Sequence, residues 1–263
     1  MAIPRSVKKN YHWWVFGVAF LTLLGAAGFR STPAILIDPL KKEFGWGRGT
    51  IGTAVSINVL LYGFIGPFAA ALQMKYGLRR ITIWALSVIS IGALLTTQIS
   101  TTWHLYLLWG GVVGTGSGCL ATVFASTVAT RWFVKNRGLV IGGLTAAGAS
   151  GQLIFLPVLS RLADHYGWRW VGVTIALSAL AVIPFVALLL RNYPSDVGLL
   201  PYGAEHDYVL PETSDRPIRA AFSAFTAAKR SGVFWMLWGS FFVCGLSTNG
   251  LIQTHFLAAA GDH

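Results

Sequence analysis

The chain has 263 residues, of which 54% are hydrophobic and 11% charged, with a formal net charge of +11 and a mean hydropathy of +0.62. This composition excludes an ordinary soluble domain. The positive charge does not indicate a nucleic-acid partner, because the basic residues lie in short runs between long apolar segments, as they do in multi-pass membrane proteins.

The apolar segments predict seven membrane helices, since about 20 apolar residues are needed to cross a bilayer. The first apolar run follows Arg5, Lys8 and Lys9 and is longer than the core of a signal peptide, so it is predicted to be an uncleaved helix. Pro33 lacks an amide hydrogen and is expected to kink the outer end of this helix. The predicted helices cover residues 12–38, 49–72, 81–99, 104–130, 138–160, 169–190 and 233–257.

The segment between the last two predicted helices is polar. Residues 191–231 contain four prolines and most of the acidic residues, and they include no long apolar run. The predicted organisation is therefore a six-helix bundle at 1–190, a cytoplasmic linker at 191–231, and a seventh helix with an external C-terminus at 232–263.

Small residues recur every four positions in the fourth and fifth helices. Such ridges let neighbouring membrane helices approach until their backbones touch, so both helices are predicted to pack inside a bundle. The ridges are Gly110, Gly114, Gly118, Thr122, Ser126 and Thr130 in the fourth helix, and Gly138, Gly142, Ala146, Ser150 beside Gly143, Ala147, Gly151 in the fifth.

A sequence repeat with an offset of ninety residues, here called the ninety-residue echo, relates the two halves of the six-helix segment. A shift of ninety residues places Pro67 on Pro157, and it places the pattern Tyr76-Gly-x-Arg79 on Tyr166-Gly-x-Arg169. Three helices separate the copies, so the copies must cross the membrane in opposite directions. The sequence therefore predicts an all-α membrane fold built from a 3+3 inverted repeat, followed by one further helix.

The distribution of Lys and Arg predicts the orientation. With a cytoplasmic N-terminus, the cytoplasmic segments carry fourteen basic residues and the external segments five. Cytoplasmic loops carry the excess of Lys and Arg in membrane proteins. The chain is thus predicted to be a multi-pass protein of the inner (plasma) membrane, with the lipid bilayer as a partner.

The loop between the second and third helices resembles a family signature. Residues 73–80, QMKYGLRR, lie where the major facilitator superfamily has Gly-x-Leu-Ala-Asp-Arg-x-Gly-Arg-Arg. The loop departs from that signature, because Met74 occupies the aspartate position and Ala70 the first glycine position. The second copy, from Leu162 through Asp164 to Gly167, keeps more of it.

Other stretches resemble the monocarboxylate and oxalate/formate antiporter branch of that superfamily. They are EFGW at 43–46, the Arg137-Gly138 pair, the Gly-rich helix through Gln152, PSDVGLLPYG at 194–203 and FFVCGLSTNG at 241–250. The resemblance implies twelve helices in two halves, so this chain is expected to be truncated after the seventh. It also implies transport of a small organic anion, a carboxylate, by alternating access, with a coupling proton or an exchanged anion.

Arg30 is the sharpest candidate for substrate binding. An arginine inside a membrane helix costs about 2.5–3.5 kcal/mol on insertion scales, so it usually faces a cavity or a partner. Its planar fork can bind a carboxylate with two parallel hydrogen bonds. The alternative is that the side chain extends to the outer headgroups, since Arg30 lies about 25 Å along the helix from Trp13.

Further polar residues in the predicted helices could line a cavity or form hydrogen bonds between helices, which are worth about 0.6 kcal/mol each. The candidates for substrate binding besides Arg30 are Asn58, Tyr62, Thr145, Gln152 and Asn249. Thr248 and His255 are additional candidates on the seventh helix. A role in topology or gating is predicted for Lys75, Arg79, Arg80, Arg137 and Asp164.

The favoured interpretation is a secondary transporter that needs no cofactor and no metal. Nothing in the sequence resembles a nucleophile with its base, a phosphate loop or a metal cluster, so no enzyme is predicted. One alternative is a seven-helix receptor or retinal protein, which the lack of a lysine in residues 233–257 and the cytoplasmic N-terminus disfavour. A second alternative is a truncated fragment that does not transport.

Overall fold

The computed structural model describes residues 10–205, 222–223, 226–245 and 247–248. Six helical spans in this part of the chain are long and apolar enough to cross a membrane, which confirms the predicted all-α membrane fold. The helices are α1 (Tyr11–Ala26), α2 (Gly28–Phe44), α3 (Arg48–Tyr76), α4 (Leu78–Thr96), α5 (Thr102–Leu105), α6 (Gly114–Cys119), α7 (Thr122–Trp132), α8 (Arg137–Tyr166), α9 (Arg169–Leu189) and α10 (Gly232–Gly245).

The first span is interrupted, which the sequence did not predict. The amide of Ala27 donates to the carbonyl of Leu24 at 3.0 Å, and the amide of Arg30 donates to Ala27 at 3.0 Å, so one tight turn separates α1 from α2. The interruption precedes Pro33, and α2 continues beyond the predicted end at residue 38 as far as Phe44. Gly45 ends α2 there in the left-handed conformation (φ 69°).

The fourth span is also interrupted. It begins with α5, continues as a π-helical segment (Tyr106–Val113) and α6, and resumes as α7 after an extended residue, Ala121. The break frees backbone carbonyls at the end of α6, and the side-chain amide of Gln73 donates to one of them, the carbonyl of Cys119, at 3.1 Å. The single helix predicted at 104–130 is therefore a broken span.

Glycines in the fourth span provide close packing against α3. A Cβ on Gly114 would lie 3.1 Å from the Cα of Asn58, and one on Gly118 would lie 3.2 Å from the carbonyl oxygen of Tyr62. Contacts this tight leave little room for any side chain. The predicted ridge through Gly110, Gly114 and Gly118 is thus the contact surface for α3.

The two small-residue ridges of α8 differ in whether they pack against another helix. On one ridge, a Cβ on Gly151 would lie 2.5 Å from the Cβ of Ala27, so α8 packs directly on the interruption between α1 and α2. On the other ridge, Gly138 and Gly142 have no atom within 4 Å of a Cβ position. Helix packing therefore uses one of the two predicted ridges in the described part of the chain.

The helix packing has the symmetry of the predicted repeat. The repeat pairs the first span with the fourth, the second with the fifth and the third with the sixth. The first span packs on the fifth through α1 and α8, and the fourth span packs on the second through α3, as this pairing requires. The packing of α1 on α9 likewise corresponds to that of the fourth span on α4. Gly77 and Gly167, ninety residues apart, both have φ 92°, with ψ 146° and 161°.

One end of the bundle, here called the basic end, contains the start of α1 and the ends of α3, α7 and α9. Residues 192–203, here called the linker segment, pack on it. The amide of Tyr202 donates to the carbonyl of Trp132 at 2.8 Å, and the carbonyl of Tyr202 accepts from the amide of Val134 at 2.9 Å. The imidazole of His12 lies 2.8 Å from the carbonyl of Leu200. The linker segment thus joins the first span to the end of the fourth.

Candidate functional site

Two cavities meet at Arg30 in the middle of the bundle. The larger has a volume of about 360 Å³ and extends between α2, α3 and α10. The smaller, of about 70 Å³, extends toward α8. Four residues line both cavities: Phe29, Arg30, Tyr62 and Thr122.

The Arg30 guanidinium is fixed between two helices. It donates a hydrogen bond from Nη2 to the hydroxyl of Tyr62 on α3. Its Cζ lies 4.8 Å from the centre of the Tyr62 ring, within cation–π distance. On the other side, its Nη1 lies 3.8 Å from the position that a Cβ on Gly148 of α8 would occupy. The side chain therefore points into the bundle and not to the headgroups.

The interruption of the first span places Arg30 at this point. The turn at Ala27 puts Arg30 in the first turn of α2, and the close approach of Gly151 to Ala27 brings α8 alongside. Pro33 cannot donate a hydrogen bond to the carbonyl of Phe29, one turn before it, so this part of the backbone stays polar. Broken helices whose ends meet at mid-bundle are the usual location of binding sites in transporters.

The charge of Arg30 is not balanced within the cavities. None of the residues that line them, all of which are described, is acidic. A guanidinium has five N–H donors, and one of them goes to Tyr62. The remaining donors can bind a carboxylate through the paired geometry that guanidinium groups favour.

Of the other predicted binding residues, some line the cavities and others do not. Asn58 lines the larger cavity, but its side-chain amide donates to the carbonyl of Trp109 at 2.8 Å. Asn58 therefore also forms a hydrogen bond between helices, the alternative role given above for these polar residues. Thr145 lines the smaller cavity, with its hydroxyl bonded to the carbonyl of Ile141. Gln152 lines neither cavity, and its backbone carbonyl accepts from Ser31 at 3.3 Å. Asn249 lies outside the described residues, as does His255.

The predicted topology and gating residues lie at helix ends, away from the cavities. Lys75 stacks over the ring of Tyr76 at 5.1 Å, and the backbone amide of Arg79 donates to the side chain of Asn192 at 3.1 Å. Arg137 donates from Nε to the carbonyl of Phe133. Arg80 and Asp164 are exposed. These residues can affect helix ends and orientation, but none of them lines the cavities at Arg30.

Sequence reasoning missed two residues of the site. Thr122 lines both cavities because the helix breaks just before it, and the four-residue spacing of small residues in the fourth span could have indicated it. Cys244 on α10 lines the larger cavity and is exposed there. No local signal in the sequence places α10 over this cavity.

A separate charged cluster lies at the opposite end of the bundle. The Arg169 guanidinium donates to both oxygens of Glu43, at 2.6 Å and 3.3 Å, and the indole of Trp168 donates to the same carboxylate at 2.5 Å. The hydrogen bond from Arg169, followed by that from Trp168, lowers the pKa of Glu43 below its ordinary value. The cluster connects the end of α2 to the start of α9.

Comparison with known proteins identifies a transporter family. The family described as Major Facilitator Superfamily matches residues 15–260. The uncharacterized MFS-type transporter YcxA of Bacillus subtilis is 24% identical over 95% of this chain and 58% of its own length. Monocarboxylate transporter 13 of Bos taurus is 33% identical over 66% of this chain and 40% of its own length. Monocarboxylate transporter 9 of Rattus norvegicus is 24% identical over 69% of this chain and 35% of its own length.

The family match confirms the predicted family, and this family and the named relatives are transporters rather than enzymes. The chain spans about a third to three-fifths of the length of the curated relatives it matches. In the part of the chain that the structure describes, no group of three His, Cys, Asp or Glu side chains is arranged to hold a metal.

Proposed function

The chain belongs to the major facilitator superfamily, and from this premise we propose that it is part of a secondary transporter that moves a small carboxylate by alternating access. The observation that carries the proposal is Arg30, a guanidinium held at the junction of two mid-bundle cavities whose lining residues include no acid. A carboxylate bound there would neutralise the charge that folding places inside the bundle.

The names of the relatives support the same class of substrate. Two of them are monocarboxylate transporters, and a monocarboxylate matches the single positive charge at the cavities. A proton or an exchanged anion would drive the transport. The proposed ligands on this chain are Arg30 and Thr122, with Asn58 and Thr145 at the two ends of the cavities.

Binding of labelled lactate to the purified chain, measured by scintillation proximity, tests the proposal. Arg30→Ala should weaken binding at least tenfold. Arg30→Lys should lose nearly as much, because an ammonium group cannot replace the planar fork. The matched control is Arg161→Gln, because Arg161 is an exposed arginine at the end of the bundle opposite to the basic end. Equal binding by the native chain and Arg30→Ala would remove the assignment of the anion site.

We further propose that the basic end faces the cytoplasm and that the chain lies in the inner (plasma) membrane. The excess of Lys and Arg at this end supports that orientation. Single cysteines at positions 41 and 229, placed in the Cys244→Ser background, test it, since Cys119 is buried. An impermeant thiol reagent applied to intact cells should label position 41 and spare position 229. Labelling at 229 alone would reverse the orientation.

A further inference from the structure

An apolar groove lies on the outer surface of the bundle, between α1 and α9. Its volume is about 540 Å³. All of its lining residues are apolar: Trp14, Phe16, Gly17, Val18, Phe20, Leu21, Phe185 and Leu189. It shares no lining residue with the cavities at Arg30, so it is separate from the proposed substrate site.

A glycine keeps the groove open. A Cβ on Gly17 would have no atom within 4 Å, so neither α1 nor α9 fills the space above this backbone position. Leu21, one turn further along α1, and Phe185 on α9 are each about half exposed on the two walls. Among the described residues, the groove is therefore an open apolar surface on the outside of the bundle.

A positively charged group lies where the groove reaches the basic end. The hydroxyl of Tyr11 donates to the carbonyl of Leu189 at 2.7 Å, which places Tyr11 at that end of the groove. Arg191 follows Leu189, a lining residue of the groove, by two positions, and the charges of Arg191 and Arg79 both act on Tyr11. Trp14, half exposed in the groove, is the type of residue that lies at the level of lipid headgroups.

We propose that this groove binds one anionic phospholipid, with an acyl chain along Gly17 and the phosphate at Arg191. The acyl chain alone gives little selectivity, because lipid tails are as apolar as the groove itself. Selectivity must come from the headgroup, where one arginine near the membrane surface gives roughly a fivefold preference for an anionic lipid. With the orientation proposed above, this lipid belongs to the cytoplasmic leaflet.

Native mass spectrometry of the purified full chain, titrated with phosphatidylglycerol or with phosphatidylcholine of the same acyl chains, tests the site. The native chain should bind phosphatidylglycerol about fivefold more tightly. Arg191→Gln should reduce phosphatidylglycerol binding to the level of phosphatidylcholine. Gly17→Leu should weaken binding of both lipids, because the new side chain occupies the groove, and Leu21→Trp should do so from the other wall.

The matched controls are Arg80→Gln, an exposed arginine of the basic end, and Gly142→Leu, an exposed glycine of α8 with open space around it. Both should bind lipids as the native chain does. Equal losses in Arg80→Gln and Arg191→Gln would show a diffuse charge effect and overturn the site. Unchanged lipid binding in Gly17→Leu and Leu21→Trp would overturn the acyl-chain position. Displacement of phosphatidylglycerol by glycerol phosphate alone would identify a site for a free anion instead. None of these outcomes depends on Arg30, so they leave the proposed function untouched.

Discussion

The two copies of the Tyr-Gly-x-Arg turn have the same backbone and different surroundings. Gly77 and Gly167 share φ 92° and an extended ψ, a region that glycine alone adopts without strain. At the basic end, a Cβ on Gly77 would lie 2.7 Å from the side-chain amide of Asn192 in the linker segment. At the opposite end, a Cβ on Gly167 would meet nothing within 4 Å.

The arginines that follow differ in the same way. The backbone amide of Arg79 donates to Asn192, and the linker segment is in turn anchored by Arg131, whose buried guanidinium stacks over Tyr193 at 4.5 Å. Arg169 instead pairs with Glu43 at the surface, where both side chains are more than a third exposed. The repeat thus preserves the turn, while its stabilising partners come from unrelated parts of the chain.

The largest expected effect is that of an alanine at each glycine. Gly77→Ala and Gly167→Ala should each cost about 1–3 kcal/mol of stability from backbone strain. Gly77→Ala should cost about 1 kcal/mol more, because its Cβ displaces Asn192 from the amide of Arg79. Both losses of stability can be measured in the Cys244→Ser background, by following the alkylation of the buried Cys119 as the protein unfolds on heating in detergent. An equal or larger loss for Gly167→Ala would contradict the comparison.

A smaller effect is expected when Asn192 is removed. Asn192→Ala should destabilise the basic end by about 1 kcal/mol, since the Arg79 amide loses its acceptor. Faster hydrogen exchange at the Arg79 amide is the local measurement. Ser195→Ala, at an exposed position of the same linker segment, is the control and should behave as the native chain. Unchanged exchange in Asn192→Ala would show that the linker segment does not hold the turn.

The smallest effect is expected at Glu43. Glu43→Gln should cost less than about 1 kcal/mol at neutral pH, because exposed ion pairs are screened by water and salt. The folded-state pKa of Glu43 is lowered, so its contribution is present above the ordinary carboxyl pKa of about 4.3 and is lost as the pH falls through the lower folded value.

A pH series of thermal unfolding checks this sign. The native chain and Glu43→Gln should differ above that pH range and converge as the pH falls below it. The matched control is Glu205→Gln, which removes an exposed carboxylate from the region beyond the linker segment. A difference that grows on acidification would contradict the assigned pKa direction.

Hydropathy predicted the six spans because crossing a membrane requires long apolar helices, and that signal is local. It also predicted a seventh helix at 233–257, of which the structure describes the apolar helix Gly232–Gly245, while residues 249–257 lie outside the described residues. The third and sixth spans begin within three residues of their predicted starts, at Leu78 and Arg169. The ninety-residue echo predicted the shared turn at Gly77 and Gly167, since both positions need a residue without a Cβ. The interruptions at Ala27 and Ala121 were not predicted, because their stabilising contacts come from other helices.

The site shows the same division between local and non-local signals. Arg30 was singled out because a charge in an apolar helix is costly, yet its position along the helix left two orientations open. The contact that decides between them is with Tyr62, which lies in another span. Gln152 has the right chemistry, but it lies outside both cavities, and no spacing rule could show that. Asn192 was missed because its role depends on the turn at Gly77.

The binding of a carboxylate beside Arg30 can be tested directly with a residue that the chain already contains. Cys244 lines the same cavity as Arg30 and is exposed there, whereas Cys119 is buried. The measurement is the rate at which a small maleimide alkylates Cys244 in the purified chain, with and without lactate. Lactate should slow the reaction several-fold in the native chain and in the Arg161→Gln control, and it should have no effect in Arg30→Ala. Equal protection in the native chain and in Arg30→Ala would contradict the Arg30 site.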